Sequence, residues 1–114
     1  MFIRCAFFCG RVKPGRQEEF DAQIESELKA LWAAFPGAEE VRVLREVEGD
    51  RPESRMELMI QMRFPTREAI DHALASDTRY KSKDASQPLF DAFDGYVFHT
   101  VFAVDDLDPT ATPG

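Results

Sequence analysis

Apolar residues recur along the chain with two different periods, and the change from one period to the other predicts the elements. Residues 2–12 carry aromatic and β-branched side chains on both alternating faces, which is typical of a central strand buried on both sides. From about residue 16 to residue 34 the apolar positions fall three and four residues apart, which predicts a helix with one apolar stripe. The stripe consists of Phe20, Ile24, Leu28, Leu31, Trp32 and Phe35.

A hairpin is predicted after this helix, which Pro36-Gly37 ends. Residues 40–48 resume a strand pattern, 49–52 form a turn, and residues 55–64 form a third strand. Alternation along the third strand places its larger apolar side chains on one face, which we expect to meet the helices. That face carries Met56, Leu58, Ile60, Met62 and Phe64.

The second half of the chain predicts another helix and a last strand. Pro65 ends the third strand, and Thr66 is placed to cap a helix whose weaker apolar stripe runs to Leu74. Residues 77–85 are polar and are predicted to be irregular. A short helix then begins near Pro88 and stops at Gly95.

The last strand is predicted at residues 96–104, and a polar tail follows it. Residues 1–104 therefore form one predicted domain. The tail, residues 105–114, holds three Asp, two Pro and few apolar residues, so we expect it to be disordered unless a partner chain holds it.

The element order β-α-β-β-α-β predicts a ferredoxin-like α+β fold. Right-handed crossovers favour a four-stranded antiparallel sheet of order 4-1-3-2, with two helices covering one face. The first and last strands are apolar on both faces, so the uncovered face would expose a large apolar patch, which monomers rarely tolerate. We therefore expect two copies to pair through their open sheets as a homodimer.

Charge and cysteine content narrow the range of functions. The formal net charge of −7 and the lack of a basic stripe argue against nucleic acid as a partner. Apolar runs are too short for a membrane span and no secretory signal is recognised, so a cytoplasmic protein without a membrane partner is expected. Cys5 and Cys9 lie four residues apart in one strand, too far to bridge each other, and are interpreted as small hydrophobic residues.

The chain resembles the dimeric α/β-barrel superfamily, with its antibiotic-biosynthesis-monooxygenase-like and EthD-like groups. The resemblance covers residues 2–104 and rests on three segments: Val12 to Phe20 at the entry to the first helix, Phe35-Pro36-Gly37 at its exit, and Phe64 to Ser76. It implies a dimeric α/β barrel. It also implies functions that range from cofactor-free oxygenases to haem-degrading enzymes, isomerases, cyclases and members of unknown role.

His99 is the candidate catalytic residue, with Val97 and Val101 as neighbours on its face of the last strand. A neutral imidazole in an apolar setting can act as a general base on an acidic C–H or hydroxyl group. The simpler interpretation, a hydrogen-bonded core or interface histidine, stays open. The other histidine, His72, points away from the apolar stripe of its helix and is expected to face solvent.

Three aromatic residues are candidates for substrate binding. Trp32, Tyr80 and Tyr96 offer flat surfaces with single polar groups for a small ring-containing ligand, although ordinary core packing also explains Trp32. The segment from Arg79 to Lys83 either borders the mouth of a pocket and meets an anionic group, or is a solvated charged loop.

The sequence contains none of the common motifs that would indicate a bound cofactor or metal. The sequence has no glycine-rich phosphate loop, GxSxG elbow, HExxH or CxxC motif, so we expect neither a cofactor nor a metal. The leading hypothesis is a cofactor-free oxygenase, isomerase or cyclase acting on a small aromatic or polyketide-like compound. The alternative is a non-catalytic dimeric protein that binds a small apolar or aromatic molecule. Haem degradation is a third option.

Overall fold

Four antiparallel strands form one sheet in the order β2-β3-β1-β4 in the computed structural model, which describes residues 1–110. The strands are β1 (Phe2–Val12), β2 (Glu40–Leu44), β3 (Met56–Phe64) and β4 (Phe93–Ala103). This is the predicted strand order read from the opposite edge, so the ferredoxin-like α+β topology is confirmed. The longest strands, β1 and β4, pair along their whole length, from Phe2 opposite Ala103 to Val12 opposite Phe93.

Helices cover one face of this sheet. Helix α1 spans residues 17–33 and has a π-helical turn, Ile24–Leu28, between two α-helical segments, Gln17–Gln23 and Lys29–Ala33. Helices α2 (Arg67–Leu74), α3 (Asp77–Ala85) and α4 (Gln87–Asp91) follow β3. The predicted N-cap of α2 is confirmed, since the backbone N–H of Ala69 donates to Oγ1 of Thr66 at 3.1 Å.

The core lies between helix α1 and the covered face of the sheet. Buried α1 side chains meet alternate residues of β3 and β1, together with Leu89 and Phe93 near the chain's last strand. The fully buried large side chains are Phe20, Ile24, Leu28, Leu58, Phe64 and Leu89.

The π-helical turn in α1 keeps its apolar stripe aligned with the sheet. Phe20, Ile24, Leu28 and Trp32 are spaced four residues apart, whereas an α-helix completes a turn in 3.6 residues. In a purely α-helical α1 each step would therefore advance about 40° around the helix axis. The wider turn absorbs part of this drift, and all four side chains are buried.

The opposite face of the sheet is open and aromatic. Phe7 of β1 stacks on Phe98 of β4 with 4.8 Å between ring centroids, and Phe102 and Tyr96 extend the cluster along β4. Phe98, Phe102 and Tyr96 are 40%, 46% and 66% exposed. We call these four residues the aromatic patch.

Two predictions about secondary structure, the end of the second strand and the state of residues 77–85, are wrong. Strand β2 ends at Leu44 rather than at residue 48, and Val47 beyond it is 93% exposed. Residues 77–85 form helix α3 rather than an irregular segment. Ser76 caps this helix by accepting from the backbone N–H of Arg79, so a polar sequence with a local cap suffices for helix formation.

Gly95 lies inside β4 and does not stop the short helix, which ends at Asp91. Gly95 pairs with Gly10 of β1, and the two backbones approach too closely for side chains. A Cβ atom on Gly95 would lie 2.1 Å from the carbonyl oxygen of Cys9. The glycine therefore serves strand pairing rather than helix termination.

Met56 departs from the face predicted for it. The pairing of β1 with β3 shifts register between Phe8 and Cys9, so Cys9 lies opposite Met56 and their sulfur atoms are 3.5 Å apart. Met56 is thereby placed with Cys9 rather than with Leu58, because directly paired residues share a face. Cys5 and Cys9 are both free, as the sequence indicated.

The segment after β4 is only partly described. Residues 105–110 form no strand or helix, and Asp106 accepts from Arg63 of β3 at 2.9 Å. The rest of the predicted tail, residues 111–114, lies outside the described residues. Among residues 1–110, no helix is long and apolar enough to cross a membrane.

The Gly10–Gly95 pair gives a test of the β1–β4 pairing. Gly10→Ala should lower the free energy of unfolding by about 3 kcal/mol, because Gly10 has a φ of 141° and a Cβ atom would lie 2.2 Å from the carbonyl oxygen of Asp94. Gly15→Ala is the matched control, since Gly15 has a φ of 78° but no heavy atom near its Cβ position, and should cost about 1 kcal/mol. Urea denaturation measures both, and equal costs would contradict the close approach.

Candidate functional site

A cavity of about 210 Å³ lies between the covered face of the sheet and the helices. Strands β1, β3 and β4 supply its floor, and α1, α3 and α4 supply its walls. Small side chains on the facing surfaces leave this space unfilled: Ala6 at the middle of β1, and Ser82 and Ser86 on and just after α3. The apolar lining consists of Ala6, Phe8, Trp32, Phe35, Ile60, Met62, Phe90 and Val97.

His99 lies on the wall of this cavity. It is directly opposite Ala6 in the β1–β4 pairing, which places its side chain on the helix-covered face together with Val97. His99 is an exposed residue, although its imidazole is partly desolvated at the cavity wall. Burial, followed by the positive charges of Arg4 and Arg79, lowers the pKa of His99 below its usual value of 6.5, so the neutral form is favoured near neutral pH.

Three basic side chains line the same cavity as His99, and the charges of two of them, Arg4 and Arg79, act on its imidazole. Arg4 of β1 and Arg79 and Lys83 of α3 also line the cavity. Burial and the charge of Arg79 lower the pKa of Arg4 from its usual range, which indicates that the two guanidinium groups lie near each other. Arg4, Arg79, Lys83 and His99 are called the basic rim below.

Helix α3 presents a polar face to the cavity. Arg79, Ser82, Lys83 and Ser86 follow one another at intervals of three, one and three residues, which places them on one side of the helix. The hydroxyl of Ser86 donates to the carbonyl oxygen of Ser82 at 2.7 Å, so this buried hydroxyl group is satisfied locally. The ordinary apolar contact face of a packed helix is thus replaced by polar groups at the cavity.

Two of the four residues predicted as site residues come together. Trp32 and His99 line the same cavity. Tyr80 lies on α3 but is 53% exposed and does not line the cavity. The guanidinium carbon of Arg79 lies 5.5 Å from the centroid of the Tyr80 ring. Tyr96 belongs to the aromatic patch on the opposite face of the sheet. His72 is exposed near the end of α2, as expected.

Sequence reasoning missed Arg4 and the position of the α3 serines. Arg4 lies at an even-numbered position of β1, in register with Ala6 and Phe8 on the covered face, where an unpaired cation is unusual. That alternation is a signal which the sequence contained. The polar stripe at residues 79, 82, 83 and 86 is a second signal in the sequence, but it can be recognised only once α3 is known to be a helix.

Several solved structures share this fold at low sequence identity, and two of them are described as dimeric ferredoxin-like proteins or dimeric proteins with a ferredoxin-like fold. An EthD family protein from Bacillus halodurans C-125 superimposes with a TM-score of 0.74 at 19% identity, covering 92% of this chain and 99% of that one. A dimeric ferredoxin-like protein of unknown function from Jannaschia sp. CCS1 gives a TM-score of 0.65 at 15% identity, with coverages of 91% and 100%.

An antibiotic-biosynthesis-monooxygenase-like protein from Caulobacter crescentus CB15 gives a TM-score of 0.62 at 17% identity and covers 91% of both chains. No protein-family model and no curated protein matches the sequence. The chain therefore shares the ferredoxin-like α+β fold of these proteins, and EthD family and monooxygenase-like proteins are among its structural neighbours, as the sequence resemblance implied. These similarities establish the fold and leave the chemistry to the site itself.

The electrostatics of the site predict the titration of His99. In a His72→Gln variant, where His99 is the remaining histidine, the imidazole NMR signals should titrate with a midpoint below 6.5. Adding Arg79→Met should raise that midpoint, since a positive charge that disfavours protonation is removed. A midpoint at or above 6.5 in the first variant would contradict the described surroundings of His99.

Proposed function

We propose that the chain is a cofactor-free enzyme, an oxygenase, isomerase or cyclase, that acts on a small aromatic or polyketide-like compound in the cavity beside His99. The observation that carries the proposal is the position of His99, a histidine with a lowered pKa on the wall of a largely apolar cavity. Perturbed titratable groups in such cavities are candidates for catalysis.

His99 is proposed as the proton acceptor. Its neutral imidazole would take a proton from an acidic C–H or O–H group of the substrate, and the electron pair of the broken bond would stay on the substrate as an enolate or phenolate. The resting pKa supports this role, because a base must be unprotonated before it reacts.

The apolar lining is proposed to hold the ring system of the substrate. Trp32 and Phe8 offer flat aromatic surfaces, and the volume of about 210 Å³ is below the range of ordinary drug-sized pockets, which favours a compound of one or two rings. The EthD family and monooxygenase-like structural neighbours support a role involving a small molecule.

The alternative proposal is a non-catalytic binding protein with the same cavity. It is favoured by one observation: within residues 1–110 the imidazole of His99 makes no hydrogen bond to another residue. Catalytic histidines are commonly oriented by a second group that bonds the other ring nitrogen. In this proposal His99 contributes only to the shape and charge of the binding site.

A homodimer is proposed for either function. The aromatic patch leaves three large rings partly exposed on the open face of the sheet, and two structural neighbours are described as dimeric. Packing two such faces together would remove this apolar surface from water. The cytoplasmic location expected from the sequence stays a prediction.

His99→Gln tests the catalytic proposal. With a panel of phenols, quinones and lactones as substrates, this variant should lose at least about 100-fold in turnover, because a positioned general base contributes that much or more. His72→Gln is the control, since it removes the exposed histidine of α2 and should leave turnover unchanged. Full activity of His99→Gln would exclude the proton-acceptor role and favour the binding-protein alternative.

Phe98→Lys tests the dimer. Sedimentation of the natural chain at micromolar concentration should give about twice the 13.0 kDa chain mass, and the variant should give the chain mass, since a charge replaces a ring at the centre of the patch. Val47→Lys makes the same kind of change at a residue 93% exposed outside the sheet, and should stay dimeric. A natural chain that sediments as a 13.0 kDa particle would overturn the proposal.

A further inference from the structure

The basic rim gives the cavity a charge opposite to that of the whole chain. The sequence holds 21 acidic and 14 basic residues, yet the cavity lining contains three basic side chains and His99 and no carboxylate among the described residues. The three basic residues come from two different elements, β1 and α3. The rim therefore concentrates positive charge from two elements at one edge of the cavity, on a chain whose net charge is −7.

The basic side chains of the rim are not neutralised within the protein. Within residues 1–110, Arg4, Arg79 and Lys83 form no salt bridge, whereas other arginines pair readily, as Arg16 does with Glu19 and Arg45 with Asp21. The neighbouring charges of Arg4 and Arg79 repel each other at the edge of an apolar cavity. Such an arrangement costs free energy in the empty protein and would be relieved by a bound anion.

The polar face of α3 is a further observation that favours an anionic ligand. A helix that packs on a sheet ordinarily buries an apolar stripe, but the cavity side of α3 places Arg79 and Lys83 one turn apart, beside the hydroxyl groups of Ser82 and Ser86. Both serines are buried. The cavity side of the helix therefore presents the cationic groups of Arg79 and Lys83 and the hydroxyl of Ser82, whereas the Ser86 hydroxyl already donates to the carbonyl oxygen of Ser82.

We propose that the ligand of this cavity is a small organic acid, with one or two apolar rings that lie against Trp32 and Phe8 and a carboxylate that is held by the basic rim. This inference rests on the proposed function and names the class of its substrate. A guanidinium group binds a carboxylate through two parallel N–H donors, and Arg4 and Arg79 supply two such groups beside His99.

The class of ligand has a chemical consequence for His99. A carboxylate bound among Arg4, Arg79 and Lys83 would offset the positive charges that disfavour protonation of the imidazole. The imidazole would then become a stronger base when the substrate is present than when the cavity is empty. Charge neutralisation and proton abstraction are coupled in this arrangement.

A matched pair of probes tests the proposal on the unsubstituted chain of residues 1–114. The probes are 2-naphthoate and its neutral counterpart 2-naphthamide, measured by calorimetry at pH 7.5 in low salt. Trp32 is the only tryptophan of the chain, so its indole N–H signal in a nitrogen-15 NMR spectrum reports occupancy of this cavity. We expect naphthoate to shift that signal and to bind at least about tenfold more tightly than naphthamide, with an advantage that shrinks as salt is added.

Substitutions on α3 identify which basic side chains are responsible for the preference for naphthoate. Lys83→Met and Arg79→Met should each weaken naphthoate binding several-fold to about tenfold and leave naphthamide binding unchanged. Lys81→Met is the control, because Lys81 is exposed on the same helix and does not line the cavity. The comparison of the two probes on the natural chain needs no variant, so the proposal stays testable even if a variant fails to fold.

The outcomes separate this proposal from the proposed function. Equal affinity for the acid and the amide, with a shift of the Trp32 signal by both, would overturn the organic-acid class and leave a neutral-ligand site. No shift by either probe at millimolar concentration would overturn both proposals. Preferential binding of naphthoate together with full activity of His99→Gln would support the organic-acid class and remove the catalytic role.

Discussion

A four-stranded sheet has two faces, and the helices of this chain cover only one of them. The central strand β1 must therefore satisfy two different environments with alternate residues, and the rest of the structure follows from that requirement. On one face, Ala6 and Phe8 meet the helices. On the other, Phe7 joins the aromatic patch with Phe98 and Phe102. The alternation of one strand thus divides the molecule into a cavity side and an aromatic side.

The cavity side contains a space because small side chains on β1 and α3 leave the packing between sheet and helices incomplete. Helix α1 seals most of the covered face with large apolar side chains, and α3 closes the remainder with serines and basic residues. A small alanine lies on the sheet below them. The resulting cavity has an apolar floor and a charged margin, a combination that a simple packing defect would not produce.

The sequence was sufficient for the fold where the signals are periodic and local. The alternation in β1 and β3, the stripe of α1 and the cap at Thr66 predicted the sheet order and the helical layer, because each depends on near neighbours or on a single buried face. It failed at α3, where the buried side is polar and the apolar period that marks a helix is missing. It also failed at Gly95, whose role depends on a backbone 85 residues earlier, at Gly10.

The candidate site could be predicted only in part, because some of its residues come together only through the tertiary structure. His99 and Trp32 attracted attention by residue type, and both line the cavity. Arg4 could be assigned to the covered face by alternation, but its proximity to Arg79 depends on how α3 crosses the sheet. Tyr80 and Tyr96 lie on other surfaces, outside the cavity lining, and their role in substrate binding stays a prediction. Residue type indicated the candidates in the sequence, and the tertiary structure shows which of them line the cavity.

The wide turn of α1 helps to set which side chains beyond it face the cavity. Trp32 and Phe35 follow Ile24–Leu28 in the chain, so their orientation depends on the extra residue that this turn accommodates. Deleting one residue there would restore a regular helix and leave the helix beyond it in nearly the same orientation, because the π-helical turn holds one extra residue within a single turn. A homologous chain with a single-residue gap at this point would therefore keep Trp32 and Phe35 over the same part of the sheet, so the helix can change in length without a change in the aromatic wall of the cavity.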